Sequence, residues 1–517
     1  MILNDNPLIK ATIEHNQLSS QQIDQLLNPI PLDLCFDKAV TDVVNKLKEA
    51  VIKKQKIFIC GDYDCDGLCS TSILKDSLSL LGAQVGFYIP NRFKDGYGIN
   101  IEIAKLAIDK NYDYVILLDN GVSAFDTIDY LRSFHKDVIV VDHHEIHQEV
   151  KADFLLHPDL LSDHYKAMCT SGLVFLISHH LVGYKPYYCA LAGIATVGDM
   201  MPLWNYNRTL LIEALKEMNQ NKFLQITSLL KNSLDNIDED VCAFQIVPKL
   251  NAVGRLADMA NPNRIVDYLC LKDKADIINF SMQILKINEQ RKNIHQVMIE
   301  KANQLISDDE VIIIYDESFH EGVVGITAGQ LSNQYKKVSL VMHDDGNRLK
   351  GSVRSYGGIP LRELFDPALD LVLKFGGHHA AAGIELLKEN FEEFKLRINA
   401  NVKNFLTFEE VVDSINYSED LLSIKNIEEL NQLKPFGMGF KVLPILFQDA
   451  YVQSIKALKT GYKVTIRIND KKFDCLDFSS SLKISENDIV SLSARYSINE
   501  YRGIKSITLF VEKWNLD

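Results

Sequence analysis

Three apolar runs of strand type each end on residue types that hold divalent metals. Lys56-Ile57-Phe58-Ile59-Cys60 leads into Asp62, Asp64 and Asp66, Val115-Ile116-Leu117-Leu118 into Asp119-Asn120-Gly121, and Val138-Ile139-Val140-Val141 into Asp142-His143-His144. In an open parallel sheet, functional groups collect in the crevice outside the carboxyl ends of the strands. Three such strands bring several carboxylates and an imidazole to one place, and so many close acids stay ionised only with something cationic among them. Asp64, Asp66, Asp119, His143 and Asp199 are hard oxygen and imidazole donors, a set suited to Mn²⁺ or Mg²⁺, whereas zinc favours thiolates. Two ions about 3.5–4 Å apart share a bridging carboxylate, polarise a phosphoryl oxygen and lower the pKa of water. Asp119, at the tip of the middle run, is the bridging candidate. A lone D-x-D is usually a solvated turn, and a lone His-His is weaker still; three such clusters, each after a β-type run, make a joint signal.

The elements that must position these groups follow from periodicity. Between Lys56 and Pro158 strands alternate with predicted helices over 70–81, 101–110 and 125–134, a βα repeat that builds a parallel sheet. Residues 280–306 contain no Gly or Pro, and Phe280, Ile284, Ile287, Ile294, Met298, Ala302 and Leu305 recur at helical spacing. That pattern predicts a long helix, either a connector between two lobes or an ordinary amphipathic core helix. A second lobe starts with a strand over 311–315, and Asp344-Asp345-Gly346-Asn347 reads as a hairpin turn between strands 338–342 and 349–353. After about residue 413 a hairpin around Asn469-Asp470 and strands over 489–496 and 504–511 predict a small all-β domain of barrel type. The expected α/β organisation is an N-terminal helical segment (1–45), a parallel-sheet catalytic domain (46–278), a connecting helix (279–306), a smaller α/β domain (307–405) and the β domain (406–517).

Composition bounds the function without choosing it. The 517 residues are 47% hydrophobic and 24% charged, ordinary for several globular domains. A formal charge of −14 counts against a protein that coats nucleic acid non-specifically, although acidic metal ligands inflate that total and a local basic groove can still neutralise phosphates. Nine cysteines without a C-x-x-C pair fit reduced thiols, and Cys60, Cys65 and Cys69 read as small residues packed beside a tight turn. No signal-like N-terminal stretch and no bilayer-length apolar run are seen, so a cytoplasmic protein is expected.

The motifs in order resemble those of the DHH phosphoesterase superfamily: Asp62-Tyr63-Asp64-Cys65-Asp66-Gly67, Asp119-Asn120-Gly121, Asp142-His143-His144 and Gly198-Asp199-Met200-Met201-Pro202. Pro90 to Gly98, Leu250 to Leu256, Phe319-His320-Glu321-Gly322 and Gly377-His378 with Ala381-Ala382-Gly383 resemble the RecJ branch and its DHHA1 lobe, with the β domain where that branch carries an OB fold. The resemblance implies a single-strand-specific 5′→3′ DNA exonuclease of repair and recombination, using two Mn²⁺ or Mg²⁺ ions. It implies metal ligands at Asp64, Asp66, Asp119, His143 and Asp199, and at Asp62 a ligand or an acid beside the ligands. His144 is implied near the scissile phosphate as an electrostatic or proton-transfer group. Arg92, Asn251, Arg255, Ser352 and Arg354 match substrate-gripping positions, and His378 matches a histidine facing the cleft. A monomer acting on single-stranded DNA, with a single-strand-binding protein and a RecQ-type helicase as partners, is implied as well. Two departures stand out. Phe440 follows Gly437-Met438-Gly439 where the branch usually has Asn, and the chain is shorter than members with a further C-terminal domain, which leaves partner recruitment open. The rival readings are a DHH phosphodiesterase of oligoribonucleotides, pAp or cyclic dinucleotides, a manganese pyrophosphatase, and a non-catalytic DHH scaffold.

Overall fold

Strands that are apolar at nearly every position belong in a sheet covered on both faces, because a solvated face would select alternating polar residues. The computed structural model, which describes residues 5–32, 37–232, 236–405, 414–479 and 482–516, bears this out. Cys35 lies outside the described residues. The chain divides into two compact units, one from Asp33–Asp199 with Glu213–Val411, the other from Met1–Leu32, Met200–Ile212 and Val412–Asp517.

In the larger unit, β1 (Lys56–Cys60), β2 (Gln84–Tyr88), β3 (Tyr114–Leu118), β4 (Asp137–Val141) and β5 (Phe154–Leu156) form an all-parallel sheet of order β2-β1-β3-β4-β5. Strand β3 is buried at every position. One face carries Phe58, Val115, Leu117, Val138 and Val140 against Ile103, Ala104, Ile128 and Leu131 of helices Ile101–Asp109 and Phe125–Ser133. The chain moves outward in opposite directions from β1 to β2 and from β1 to β3, which opens a crevice at the carboxyl ends of β1 and β3. The first helix begins at Cys65, five residues before its predicted start, because Asp64 Oδ1 accepts from the Asp66 and Gly67 amides at 3.1 and 3.2 Å and caps it. Strands β2 and β5 escaped the sequence pattern, since both are edge strands only partly buried.

Helix Lys274–Leu305 has 32 residues and starts six positions before the predicted 280, where Asp273 accepts from the Ala275 and Asp276 amides. It packs on helix Val247–Arg255. Its C-terminal end puts Met298, Ile299 and Ala302 into a core with Ile312, Ile314, Phe319 and Leu331. It is therefore both connector and core helix. The second sheet runs β6 (Ile312–Asp316), β7 (Ser339–Asp344), β8 (Arg348–Arg354), β9 (Val372–His378) and β10 (Ala381–Leu387) in the order β6-β7-β8-β10-β9, with only β6 and β7 parallel. The β7–β8 hairpin turns at the predicted residues, with Gly346 at φ +97°. Hairpin β9–β10 was missed: Gly376 and Gly377 are poor strand formers, and pairing with β10 holds them there.

The smaller unit holds β11 (Ile415–Asn416), β12 (Ile445–Ala457), β13 (Tyr462–Ile468), β14 (Lys471–Asp477), β15 (Ile489–Tyr501) and β16 (Ile504–Leu516). Pairings β12-β13-β14-β16-β15 and back to β12 close a five-stranded barrel, which leaves β11 alongside β12. Its core includes Phe447, Val452, Val464, Ile466 and Leu492. Leu8, Ile9 and Leu26 from helices Pro7–His15 and Ser20–Leu27 join that core, the second helix entering through a Ser19–Gln22 capping box. The N-terminal stretch read as one segment thus divides, for helix Lys38–Ile52 belongs to the larger unit. Phe440 is fully buried beside Trp204 and Phe436, so an aromatic core explains its departure from Asn. Among the described residues, no helix is long and apolar enough to cross a membrane.

Arg208 is fully buried in this unit and donates to the carbonyls of Leu433 at 2.7 Å and Pro435 at 3.1 Å. Arg208→Ala leaves those carbonyls without donors and is expected to destabilise the unit by about 2–4 kcal/mol. Trp204 and Trp514, the chain's two tryptophans, both lie here, so urea unfolding followed by tryptophan fluorescence reads this unit directly. An unchanged midpoint would contradict the assigned role of Arg208.

Candidate active site

The larger unit gathers its acids where β1, β3 and β4 end. Asp62 follows β1, Asp119 follows β3, and Asp142 and His143 follow β4. Asp64 and Asp66 sit at the head of helix Cys65–Leu80, and Asp199 is the C-cap of helix Pro186–Gly198. The turn after β1 is tight: a Cβ on Gly67 would come within 2.4 Å of the Asp62 amide nitrogen, so only glycine lets the helix return this close. Asp119 stands at φ +63°, a left-handed conformation that costs a non-glycine residue about 1–3 kcal/mol. Its amide donates to Val141 O at 3.0 Å and its Oδ1 accepts from Thr170 Oγ1 at 3.1 Å, which hold it there.

His143 Nε2 lies 3.0 Å from Asp199 Oδ2, 3.3 Å from Asp119 Oδ1 and 3.9 Å from Asp66 Oδ2. Three overlapping groups each place their ligand atoms within 4.8 Å of one another: Asp119/His143/His144, Asp66/His143/Asp199 and Asp62/Asp64/Asp119. Asp119 and His143 each belong to two of them. All five residues expected as ligands are therefore brought together, and Asp62 with them. Cys60, Cys65 and Cys69 are buried thiols outside these groups.

The donor chemistry fits hard divalent cations. Asp62 Oδ1 and His143 Nε2 are buried with no hydrogen-bond partner of acceptable geometry. Burial, then the charge of Asp64, pushes Asp62 well above the usual carboxylate range. Burial and the charges of Asp66, Asp64 and Asp199 do the same to Asp119, and burial with Asp199 and Asp66 raises Asp64. Burial alone would lower His143, but Asp199 and the neighbouring acids hold it at about 9. Left to themselves these groups retain protons; cations would replace those protons and keep the ligands ionised.

Two acids are committed to the protein itself. Asp66 accepts from the Thr170 and Ser171 amides at 2.8 and 2.7 Å, at the start of helix Thr170–Val182. Asp142 accepts from the amides of Val122, His143 and His144 and from His144 Nδ1 at 2.8 Å. Burial opposes its charge, but the His144 partnership outweighs that and holds Asp142 below the usual range. Tyr97 Oη donates to Asp119 O at 3.0 Å and lies 3.3 Å from His144 Nε2. Sequence reading gave no role to Asp142 beyond its motif, nor to Tyr97, Thr170 or Ser171. Tyr97 had a signal in Gly96-Tyr97-Gly98; Thr170 and Ser171 had none.

Beside the acids lies a cleft of about 530 Å³ lined by Arg92, Arg255, Lys350, Ser352, Arg354 and Lys374, with Tyr63 and Tyr97. The Arg92 guanidinium lies 4.7 Å from the centre of the Tyr63 ring. Arg354 donates to Ser352 Oγ and to Val353 O. Burial and the charges of Arg92, Arg354 and Arg291 pull Arg255 down to about 9. A Cβ on Gly322 would come 1.8 Å from Arg255 O, so this glycine lets the second lobe approach. Asn251 lies one helical turn before Arg255 and does not line the cleft. The backbone of His378 ends β9, but its side chain lies outside the described residues.

Three family models match the chain: the DHH family N-terminal domain over residues 56–198, the DHHA1 domain over 308–404 and the RecJ OB domain over 415–513. The chain is 31% identical over 500 residues to the single-stranded-DNA-specific exonuclease RecJ of Bacillus subtilis, covering 92% of this chain and 63% of that protein. To the exonuclease of the same name from Haemophilus influenzae it is 26% identical over 548 residues, covering 97% of this chain and 94% of that protein. The fold is similar to that of RecJ in complex with Mn²⁺ from Thermus thermophilus, with a TM-score of 0.85, 24% identity, and coverage of 100% of this chain and 77% of that one. The chain therefore spans less than two thirds of the length of the Bacillus relative.

Asp142→Asn keeps the shape but removes the charge that orients His144. It is expected to lower Mn²⁺-dependent phosphodiester hydrolysis by about 10–100-fold while circular dichroism stays unchanged. Wild-type turnover in that variant would show that the Asp142–His144 pair is dispensable.

Proposed function

The chain belongs to the RecJ family of DHH phosphoesterases, and from that premise we propose that it is a single-stranded-DNA-specific 5′→3′ exonuclease releasing 5′-mononucleotides. One observation carries the reading: within a single unit, an acid–imidazole cluster borders a cleft lined by five cationic side chains against two glutamates, Glu321 and Glu385. Acids that must hold cations, set beside guanidiniums without acid partners, suit a phosphodiester held at one end and hydrolysed at the other.

Asp64, Asp66, Asp119, His143 and Asp199 are the proposed ligands for two Mn²⁺ or Mg²⁺ ions, with Asp62 close enough to contribute. Of the two residues that belong to two groups, Asp119 and His143, only Asp119 is a carboxylate, which makes it the proposed shared ligand. Such ions supply Lewis acidity toward a phosphoryl oxygen and lower the pKa of water. The protein's own part is positioning. His144, aligned by Asp142 and facing Tyr97 through Nε2, is the group proposed to donate to a phosphate oxygen or to pass a proton to the leaving oxygen. Arg92, Ser352 and Arg354 would grip the terminal phosphate, with Arg255 beside them. A cleft of about 530 Å³ has room for a nucleotide unit; the single-strand preference rests on the family resemblance. We further place the protein in the cytoplasm as a monomer, with a single-strand-binding protein and a RecQ-type helicase as partners, on family resemblance alone.

Digestion of an end-labelled 30-mer with Mn²⁺ or EDTA, using 5′- and 3′-blocked strands, tests the proposal. Mononucleotides are expected only with Mn²⁺ and only from the unblocked 5′ end. Hydrolysis of a dinucleotide with the 30-mer left intact would assign the chain to short-oligonucleotide phosphodiesterases instead. Asp119→Ala and His143→Ala should each lower turnover by at least about 10³-fold in a folded protein, as loss of a metal-held nucleophile demands. Near-normal turnover in either would refute the ligand assignment.

A further inference from the structure

Arg291 and His295 lie one turn apart on the long helix, which packs on helix Val247–Arg255. Arg291 donates through Nη2 to Asn288 Oδ1 at 2.8 Å, yet its Nε is buried without a partner. His295 Nε2 and Asn251 Oδ1 are likewise buried and unpartnered. The arginine ion pairs among the described residues involve Arg132, Arg348, Arg397 and Arg495, so neither Arg255 nor Arg291 has a carboxylate within 4 Å. The one acid that Arg291 feels is Glu289, which is itself paired with Lys292 at 2.6 Å. The charged groups felt by His295 are Arg291 and Arg255, both cations. Arg255 is repelled by Arg92, Arg354 and Arg291 and attracted by Asp64.

Burying guanidiniums with no counter-charge is costly unless an anion completes the site. Arg255 lines the cleft whereas Arg291 and His295 do not, and all three lie close enough to influence one another's charge. Two clusters of phosphate donors joined at Arg255 match a strand that carries one phosphate per nucleotide. We propose that Arg291 and His295, with Arg255, form a second phosphate subsite that holds an internal phosphate of the single strand. The inference rests on the exonuclease reading for its substrate, but not on turnover.

The test is binding. Fluorescence anisotropy of a 5′-phosphorylated dT 20-mer, with Ca²⁺ in the buffer, is measured for wild type, Arg291→Gln, Arg291→Lys and His295→Gln, and the dinucleotide pdTpdT is measured by competition. Arg291→Gln is expected to weaken the 20-mer about tenfold and to reduce the slope of log Kd against log salt by about 0.7, the loss of one phosphate contact on a single strand. Arg291→Lys should keep the slope, and His295→Gln, the milder change, should weaken binding about threefold with the slope unchanged. The dinucleotide, too short to reach the second subsite, should bind all four proteins alike. Wild-type affinity and slope in both folded Gln variants overturn the subsite, as does equal weakening for the dinucleotide. A wild type that binds the 20-mer and does not digest it in Mn²⁺ would sink the exonuclease reading and leave the subsite standing; digestion with both Gln variants unaltered in binding would do the reverse.

Discussion

Mutual repulsion among buried carboxylates is the constraint that this protein is built around. Asp66, Asp119 and Asp199 converge on His143, and Asp62 and Asp64 on Asp119, at the carboxyl edge of the sheet, buried or half-buried where little water screens them. Such a cluster survives folding only if the backbone around it leaves no alternative. Strands β1, β3 and β4 of the covered parallel sheet each deliver an acid at a fixed height. Gly67 lets the first helix close over Asp62, and the Val141 and Thr170 contacts hold Asp119 in its left-handed turn. The cost is stored as strain and proton affinity, and cations are what would release it.

The same logic with opposite sign shapes the neighbouring cleft. Arg92, Arg255 and Arg354 line it with no carboxylate in ion-pair distance among the described residues, so the unit alternates from acid to base over a short distance. A phosphodiester complements both halves at once: its charge satisfies the guanidiniums, and through cations it reaches the acids. The total of −14 conceals this pattern, because net charge averages over a surface whose chemistry depends on local sign. Asp66 and Asp142 show how the protein commits its own donors. A helix N-terminus fixes the first and a ring of amides with His144 the second, so that these acids are oriented before any ion arrives.

Much of this was legible in the residues. Strands β1, β3 and β4 announce themselves as unbroken apolar runs, and each proposed metal ligand after them lies within a few positions of its strand end, so local sequence carries both the element and the candidate site. The barrel and the β7–β8 hairpin were legible for the same reason: alternation and turn chemistry are local signals. What stayed hidden is what distant segments do to each other. Strand β2 is an edge strand without an apolar run, and β9 is held in the sheet by β10 despite its two glycines. Thr170 and Ser171 clamp Asp66 from 104 and 105 positions away. Arg291 and His295 look like ordinary polar positions on a helix until Val247–Arg255 packs against them.

By itself, the sequence determined which chemistry was available: oxygen and imidazole donors at three strand ends, and the βα repeat that must bring them to one edge. Only the tertiary structure decided which oxygens were already engaged, which atoms were left without partners, and which cations shared the cleft. The reason is physical. Residue type and strand period act over a few bonds, whereas burial, repulsion and hydrogen-bond satisfaction exist only once segments a hundred residues apart exclude water from between them.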